Sequence, residues 1–255
     1  MELIKVKEFV LSHYGINLSA YKTNQLDRRI ESFINRAGAK DGEDLIKLLK
    51  ADPILDKKFL DYLTINVSEF FRNKEMFDAL EKNIRELLLP HKNTLKIWSA
   101  ACSIGAEPYS LAMILEGLSP GKRHTIVATD IDSTILETAK RGVYTDKDIK
   151  NVDRALIQKY FTVNGENYAI NSDIRGRVTF KKHDLIRDNY ESDFDLIVCR
   201  NVVIYFTQEA KNEIYTKFQK AMKKGALLFV GATESIYNYR EFGLEKLSTF
   251  IYRKL

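Results

Sequence analysis

The sequence has little that could brace or locate the protein by covalent means. Two cysteines in 255 residues, Cys102 and Cys199, lie far apart and exclude a disulfide framework. Four histidines, His13, His91, His124 and His183, are scattered without ligand spacing, so no metal is expected. No apolar run approaches the roughly 18 residues that cross a bilayer. Glu2, Lys5, Lys7 and Glu8 sit where a signal peptide needs an apolar core. Charge of one sign is also scarce: 40 Lys and Arg against 35 Asp and Glu leave +5, spread along the chain, which is only a weak argument for nucleic acid, and no nucleic-acid partner is expected. There is no internal repeat and no low-complexity segment. With 45% hydrophobic residues the chain can bury a full core, and a cytoplasmic protein in a reducing compartment, without membrane insertion, is expected.

What is present changes period once. Residues 1–90 carry helical patterns only. Leu26, Ile30, Phe33, Ile34 and Ala37 recur on one face of a second helix that Gly38 ends. Lys22, Arg29 and Arg36 are seven apart on it and form a stripe drifting only ~20° per heptad. That stripe reads as a solvated face or as a docking face for an acidic helical partner. The segment Asn66-Val-Ser-Glu-Phe-Phe-Arg72 leads into a helix with Met76, Phe77, Leu80, Ile84 and Leu87; its Asn and Ser suit an N-cap, and Arg72 falls near an expected interdomain cleft. From Leu95 strands alternate with helices, the pattern of a covered parallel sheet. Strands are expected at 95–100, 124–130, 178–184, 194–200 and 226–231, with two more in an antiparallel C-terminal hairpin, seven in all. A helix Gln208–Lys223 should be closed by Gly225. Asn164-Gly165 signals a type I′ hairpin inside a small antiparallel insert at about 160–178. The expected domains are helical over 1–75 and α/β over 76–255.

Ligands of open parallel sheets bind beyond the carboxyl ends of the strands. Leu95 to Leu115 reads as strand, small-residue turn (Ala101, Cys102, Ser103, Gly105) and helix, with Pro108 in the first turn. Asp130 ends the second strand, where a ribose diol finds its acceptor; the plain alternative is an N-cap for the next helix. Asp184 or Leu185 could line an adenine pocket. The turn has no GxGxxG fingerprint for a pyrophosphate, so a nucleoside ligand without phosphates fits better. S-adenosylmethionine has an amino-acid end that needs an anion and a cation, which Glu107 and Arg72 could supply. Glu107 is otherwise an ordinary first-turn helix acid.

Four stretches together resemble one family. They are Asn66 to Arg72, Trp98-Ser-Ala-Ala-Cys-Ser-Ile-Gly-Ala-Glu-Pro-Tyr-Ser110, Ala128-Thr-Asp-Ile-Asp132 and Cys199-Arg-Asn-Val-Val-Ile-Tyr-Phe206. Their order and spacing, across nearly the whole chain, resemble the chemotaxis receptor glutamate methyltransferases, the CheR family. The resemblance implies a class I S-adenosylmethionine-dependent methyltransferase fold: a mostly parallel seven-stranded sheet with an antiparallel C-terminal hairpin, preceded by a small all-α domain and carrying a small β insert. It implies a monomer that forms glutamyl methyl esters on the cytoplasmic helices of chemoreceptors, releasing S-adenosylhomocysteine. By the same resemblance Asn66, Ser68 and Arg72 line the cofactor's amino-acid end and methyl site, Glu107 its ammonium, Asp130 its ribose and Asp184-Leu185 its adenine. Arg200, Asn201 and Tyr205 would floor the methyl region, Arg72 and Tyr205 would orient the reactants, and Lys22, Arg29 and Arg36 would face the receptor. Ser68 stands where Thr is common in the family and Asp184 where Asn is common; both keep a polar group. Other readings are a methyltransferase acting on RNA or a small molecule, favoured by a pI near 8.9 and by Lys211, Lys217, Lys220, Lys223 and Lys224, or a non-catalytic cofactor-binding regulatory module.

Overall fold

A computed structural model describes residues 2–65 and 68–255. Contacts divide the chain into two compact units, Met1–Asn66 with Tyr205–Glu213, and Val67–Ile204 with Ile214–Leu255.

Among the described residues up to 65, the first unit is built on α1 (Glu2–Tyr14), α2 (Thr23–Ala37), α3 (Gly42–Ala51) and α4 (Pro53–Thr64). They are short because each is punctuated. Gly38 takes a left-handed conformation (φ 70°) and closes α2 on the Ile34 and Asn35 carbonyls. Asp41 caps α3 by accepting from the Asp44 N–H at 2.8 Å, and Asp52, followed by Pro53, caps α4 on Ile54 at 2.8 Å. Leu26, Ile30 and Phe33 are buried on one face of α2, each worth about 1.5–3 kcal/mol, and the Phe33 ring packs on Phe59 at 4.9 Å. The chain returns to this unit at Tyr205: the Lys22 N–H donates to the Tyr205 carbonyl and the Thr207 N–H to the Ala20 carbonyl, both at 2.8 Å.

The second unit begins its regular structure with α5 (Lys74–Asn83), which runs on through a π-type turn to Leu88. Asn73, in a left-handed conformation at φ 60°, occupies its N-cap position without a side-chain cap. The expected cap by Asn66 or Ser68 is therefore not the one used: Asn66 lies outside the described residues, and Ser68 precedes the helix by a strained turn with Phe71 at φ 49°. Phe70 and Phe71 belong to this unit because their rings pack on Tyr144 and Phe77.

The main sheet contains β1 (Lys96–Ala100), β2 (Thr125–Asp130), β6 (Val178–Lys182), β7 (Phe194–Cys199), β8 (Met222–Val230), β9 (Leu244–Lys246) and β10 (Ile251–Lys254). Its order is β6-β2-β1-β7-β8-β10-β9, with β10 antiparallel to both neighbours and the first five strands parallel. The centre is buried on both faces: all six residues of β7 are buried, five of them apolar and the sixth Asp195. Helices α6 (Ala106–Leu118) and α7 (Ser133–Arg141) follow β1 and β2. The strand order reverses between β1 and β7, which fixes the ligand crevice at their carboxyl ends.

Three local expectations are corrected. Helix α8 (Gln208–Ala221) stops before Gly225, because Met222 already pairs with Phe194 as the first residue of β8. Gly225, at φ 76°, sits inside that strand, where its register with β7 slips. The small sheet has three strands rather than two: β3 (Val143–Thr145), β5 (Asn167–Ile170) and β4 (Phe161–Asn164), in the order β3-β5-β4. Its hairpin turns through Gly165 and Glu166, with Asn164 paired to Asn167. Of the two turn residues only Gly165 has positive φ, which is a type II′ pattern and not type I′.

Candidate functional site

The turn after β1 is strained in a regular way. Ala101, Ser103 and Gly105 all have positive φ, 63°, 49° and 84°. Only Gly105 adopts this without steric cost, so the two non-glycine residues store roughly 1–3 kcal/mol each, of the kind found at ligand clamps. The strain is held from two sides. The Cys102 N–H donates to the Thr129 carbonyl at 2.9 Å, and the Ser103 N–H donates to Asp130 Oδ2 at 2.8 Å. Gly105 is required twice over: besides its φ, a Cβ there would lie 2.9 Å from the Ala139 Cβ. The Ser103 hydroxyl is buried with no partner.

Asp130 also accepts from the Asp132 N–H at 3.1 Å. Burial pushes its carboxyl up to about 6, against the pull of these main-chain donors. It does not cap α7; Asp132 does, accepting from Thr134 and Ile135 at 2.8 and 3.2 Å. Asp130 is thus a buried acid at the end of β2 with lone pairs left for a ligand.

Glu107, in the first turn of α6, is buried. It accepts from the Ser99 hydroxyl at 2.8 Å, and its other oxygen lies 3.6 Å from Arg200 Nη1. Burial raises the Glu107 carboxyl, with Arg200 opposing, and burial lowers the Arg200 guanidinium, with Glu107 opposing. Arg200 lies over the rings of Phe77 and Phe229, at 5.1 and 4.9 Å. Its Nη2 donates to the Arg72 carbonyl at 2.8 Å and the Asn73 side chain at 3.1 Å. The guanidinium therefore ties the end of β7 to the Ser68–Asn73 segment and to Glu107. That segment is also fixed from α6, where Ser110 accepts from the Phe71 N–H at 3.1 Å.

Asn201 follows with φ 61°. Its N–H donates to Glu234 at 2.6 Å, and Glu234, also buried, accepts from Val202 at 2.9 Å, Gly231 at 2.9 Å and Ile204 at 3.3 Å. Burial raises the Glu234 carboxyl, and these four N–H groups oppose it. Asp184 sits one residue past His183, whose N–H donates to the Asp130 carbonyl at 2.9 Å. The Asp184 carboxylate caps the turn it opens, accepting from Ile186 at 2.8 Å and Arg187 at 3.3 Å, while the carbonyl of buried Leu185 accepts from Tyr190 at 2.7 Å.

Ser68, Arg72, Glu107, Asp130, Asp184, Leu185, Arg200 and Asn201 are thus all in the second unit. Lys22, Arg29, Arg36 and Tyr205 are in the first. Lys22 immediately precedes α2 instead of lying on it, and Arg29 and Arg36 stack on the single ring of Tyr62, at 4.5 and 5.0 Å. The contacts of Ser99, Ser110, Asn73 and Glu234 were not foreseen. Glu234 had a usable signal: it is an acid just past an apolar strand, the same rule that selects Asp130. Among the described residues no group of His, Cys, Asp and Glu could hold a metal ion.

Two buried carboxylates, Glu107 and Asp130, would repel a pyrophosphate on this turn. They suit a ligand with an ammonium and a ribose diol, and the orphaned Ser103 hydroxyl adds a free polar contact. Fold and site together define a class I methyltransferase that uses S-adenosylmethionine, with a seven-stranded sheet whose last strands run antiparallel. The family model "CheR methyltransferase, SAM binding domain" matches residues 66–251, and "CheR methyltransferase, all-alpha domain" matches residues 1–64. A chemotaxis protein methyltransferase of Listeria monocytogenes is 43% identical over 242 residues, covering 94% of this chain and 92% of the relative. Those of Borreliella burgdorferi and Escherichia coli are each 31% identical, covering 99% and 91% of this chain and 94% and 83% of their own lengths. The chain belongs to the CheR methyltransferase family.

Proposed function

We propose that the protein methylates glutamate side chains on the cytoplasmic helices of chemotaxis receptors, acting as a cytoplasmic monomer and leaving glutamyl methyl esters and S-adenosylhomocysteine. One observation carries the choice of nucleophile. Both buried carboxylates of the site are engaged, Glu107 by Ser99 and Arg200, and Asp130 by the Ser103 and Asp132 N–H groups. A site arranged in this way suits a nucleophile that arrives already ionised, as a glutamate does at neutral pH.

S-adenosylmethionine supplies a methyl group on a positively charged sulfur. Glu107 would hold its ammonium, Asp130 its ribose and the Asp184-Leu185 turn its adenine, with Asn66, Ser68, Arg200 and Asn201 completing the amino-acid and methyl ends. Opposite charges cancel in the displacement, so the chain's work is to align two groups and exclude water, not to move a proton. A tight clamp on the incoming carboxylate would favour the ground state. Arg72 and Tyr205 are accordingly assigned to orientation. Lys22, Arg29 and Arg36, on the helical domain taken as residues 1–75, would meet the acidic receptor helices, and residues 76–255, together with Asn66, Ser68 and Arg72 from the end of the first domain, would carry the chemistry. Among the described residues no helix is long and apolar enough to cross a membrane. The test is transfer of labelled methyl to receptor-containing membranes. Base-labile label on the receptor is expected; label on RNA instead, or none, overturns the reading.

A further inference from the structure

Two carboxylates are buried at opposite ends of β7, and the proposed function uses neither. Asp195, at the start, accepts from the Lys96 N–H at 2.7 Å and is paired with Lys92 and Lys223. Glu234 lies beyond the other end, 4% exposed; among the described residues no side-chain cation forms a hydrogen bond or ion pair with it, although Arg200 is near enough to act on it electrostatically. Its partners are main-chain N–H groups: Oε2 takes those of Asn201 and Gly231, and Oε1 those of Val202 and Ile204. Three of these four belong to the turn that leaves β7, beginning with Asn201 at φ 61°. A non-glycine residue in that region persists only when its surroundings over-determine it. Glu234 is the group that does so. The fit is close, since a Cβ on Gly231 would collide with the Glu234 carboxylate and would also lie 3.1 Å from the Asn201 nitrogen.

From this geometry we infer that Glu234 is a positioning residue for cofactor binding, shaping the Arg200–Ile204 turn by taking its N–H groups while leaving the turn's side chains to the ligand. The inference rests on the cofactor reading of the β1 and β7 strand ends. A carboxylate is needed for this task and an amide is not a substitute. Glutamine has the same shape but one acceptor oxygen, and its NH2 group would face either the Val202 and Ile204 donors or the Asn201 and Gly231 donors. The turn would then have to swing away from the position in which Arg200 reaches Glu107 and the Arg72 carbonyl.

The experiment compares Glu234→Gln with Asp195→Asn, the matched loss of a buried carboxylate at the far end of the same strand. S-adenosylhomocysteine affinity is read by calorimetry, stability by thermal unfolding, and amide hydrogen exchange at residues 201–204 by NMR. Both variants should melt lower than wild type. Only Glu234→Gln should bind S-adenosylhomocysteine at least roughly tenfold more weakly, as expected for lost charge-assisted hydrogen bonds, and Asp195→Asn should stay within about twofold. Equal affinity in both variants overturns the inference. Should Glu234→Gln not fold, wild-type exchange decides: the Val202 and Ile204 amides should exchange as slowly as those of β7, and loop-like rates at both would refute the clamp. If wild type itself does not bind S-adenosylhomocysteine, the cofactor reading fails instead.

Discussion

Glu107 and Arg200 face each other inside the second unit with 3.6 Å between Oε2 and Nη1, their side chains 11% and 2% exposed. The distance is long for a hydrogen bond, and each partner has closer ones elsewhere: Glu107 to Ser99, Arg200 to the Arg72 carbonyl and Asn73. The pair is therefore one link in a chain from β1 through α6 and β7 to the segment before α5. Removing Arg200 would leave Glu107 as an uncompensated buried charge. Arg200→Ala is expected to lose about 3–5 kcal/mol at neutral pH by urea unfolding. The loss should shrink in acid, where Glu107 can take up a proton. A loss under about 1 kcal/mol would show that the link carries no strain or charge of consequence.

Asp130 gives a pH dependence. Its folded value of about 6 stands above the ordinary carboxylate value of about 3.9, so burial favours the protonated form. Its contribution to stability is complete below about pH 4 and is lost as pH rises through about 6, a change of about 3 kcal/mol. A ribose diol donates to the ionised form and works in the opposite sense. Cofactor affinity should rise between about pH 5 and pH 7 in calorimetry, and Asp130→Asn should bind more weakly with a flat profile. Wild-type affinity that does not vary with pH would contradict the ribose assignment.

Gly105 tests the turn itself. Gly105→Ala meets both a φ of 84° and the Ala139 Cβ, so a loss of roughly 1–3 kcal/mol is expected, together with weaker cofactor binding. Adding Ala139→Gly removes the contact but not the torsional cost. Ala139→Gly alone carries the roughly 1 kcal/mol cost of a helix-interior glycine, so the double variant should lose less than the sum of the two single losses, and simple additivity would mean that the collision is relieved some other way.

The strand, turn and helix from Leu95 to Leu115 were legible because local signals agreed there: an apolar run, small residues at the turn and Pro108 in the first helical turn. So was the seven-stranded sheet, whose central strands read as largely apolar segments. Gly225 misled because a glycine after a helix and a glycine in a strand bulge look alike until the pairing of Met222 with Phe194 is known. The partners of Arg200 and Glu234 were not legible for a related reason. Those of Glu234, and the Arg72 carbonyl that Arg200 binds, are main-chain groups, which every sequence contains, and the Asn73 and Glu107 side chains are brought to Arg200 only by strand order.

Arg72→Ala keeps the carbonyl that Arg200 binds. Methyl transfer should fall at least roughly tenfold, the effect of a lost orienting contact, with the fold retained by circular dichroism. Tyr205→Phe likewise keeps the main-chain acceptor that Lys22 uses, and should lower turnover with the fold intact by circular dichroism. Wild-type turnover in both variants would remove them from the reaction.

The basic residues of the helical unit make a different prediction, because they are not equivalent. Arg29 is half-buried, donates to the Tyr62 carbonyl and stacks on its ring, so reversing its charge would damage α2 against α4 as well as any docking. Arg36 is exposed and lies over the same ring at 5.0 Å. Arg36→Glu is therefore the cleaner test of a receptor-facing surface. It should raise KM for receptor while leaving kcat and S-adenosylhomocysteine affinity unchanged. The difference between variant and wild type should fade as salt shortens the screening length from about 10 Å at 0.1 M to about 3 Å at 1 M. Because exposed charges act over such distances mainly by steering encounter, the expected change lies in association with the receptor and not in chemistry. An unchanged KM at low salt would assign the stripe to ordinary solvation of α2.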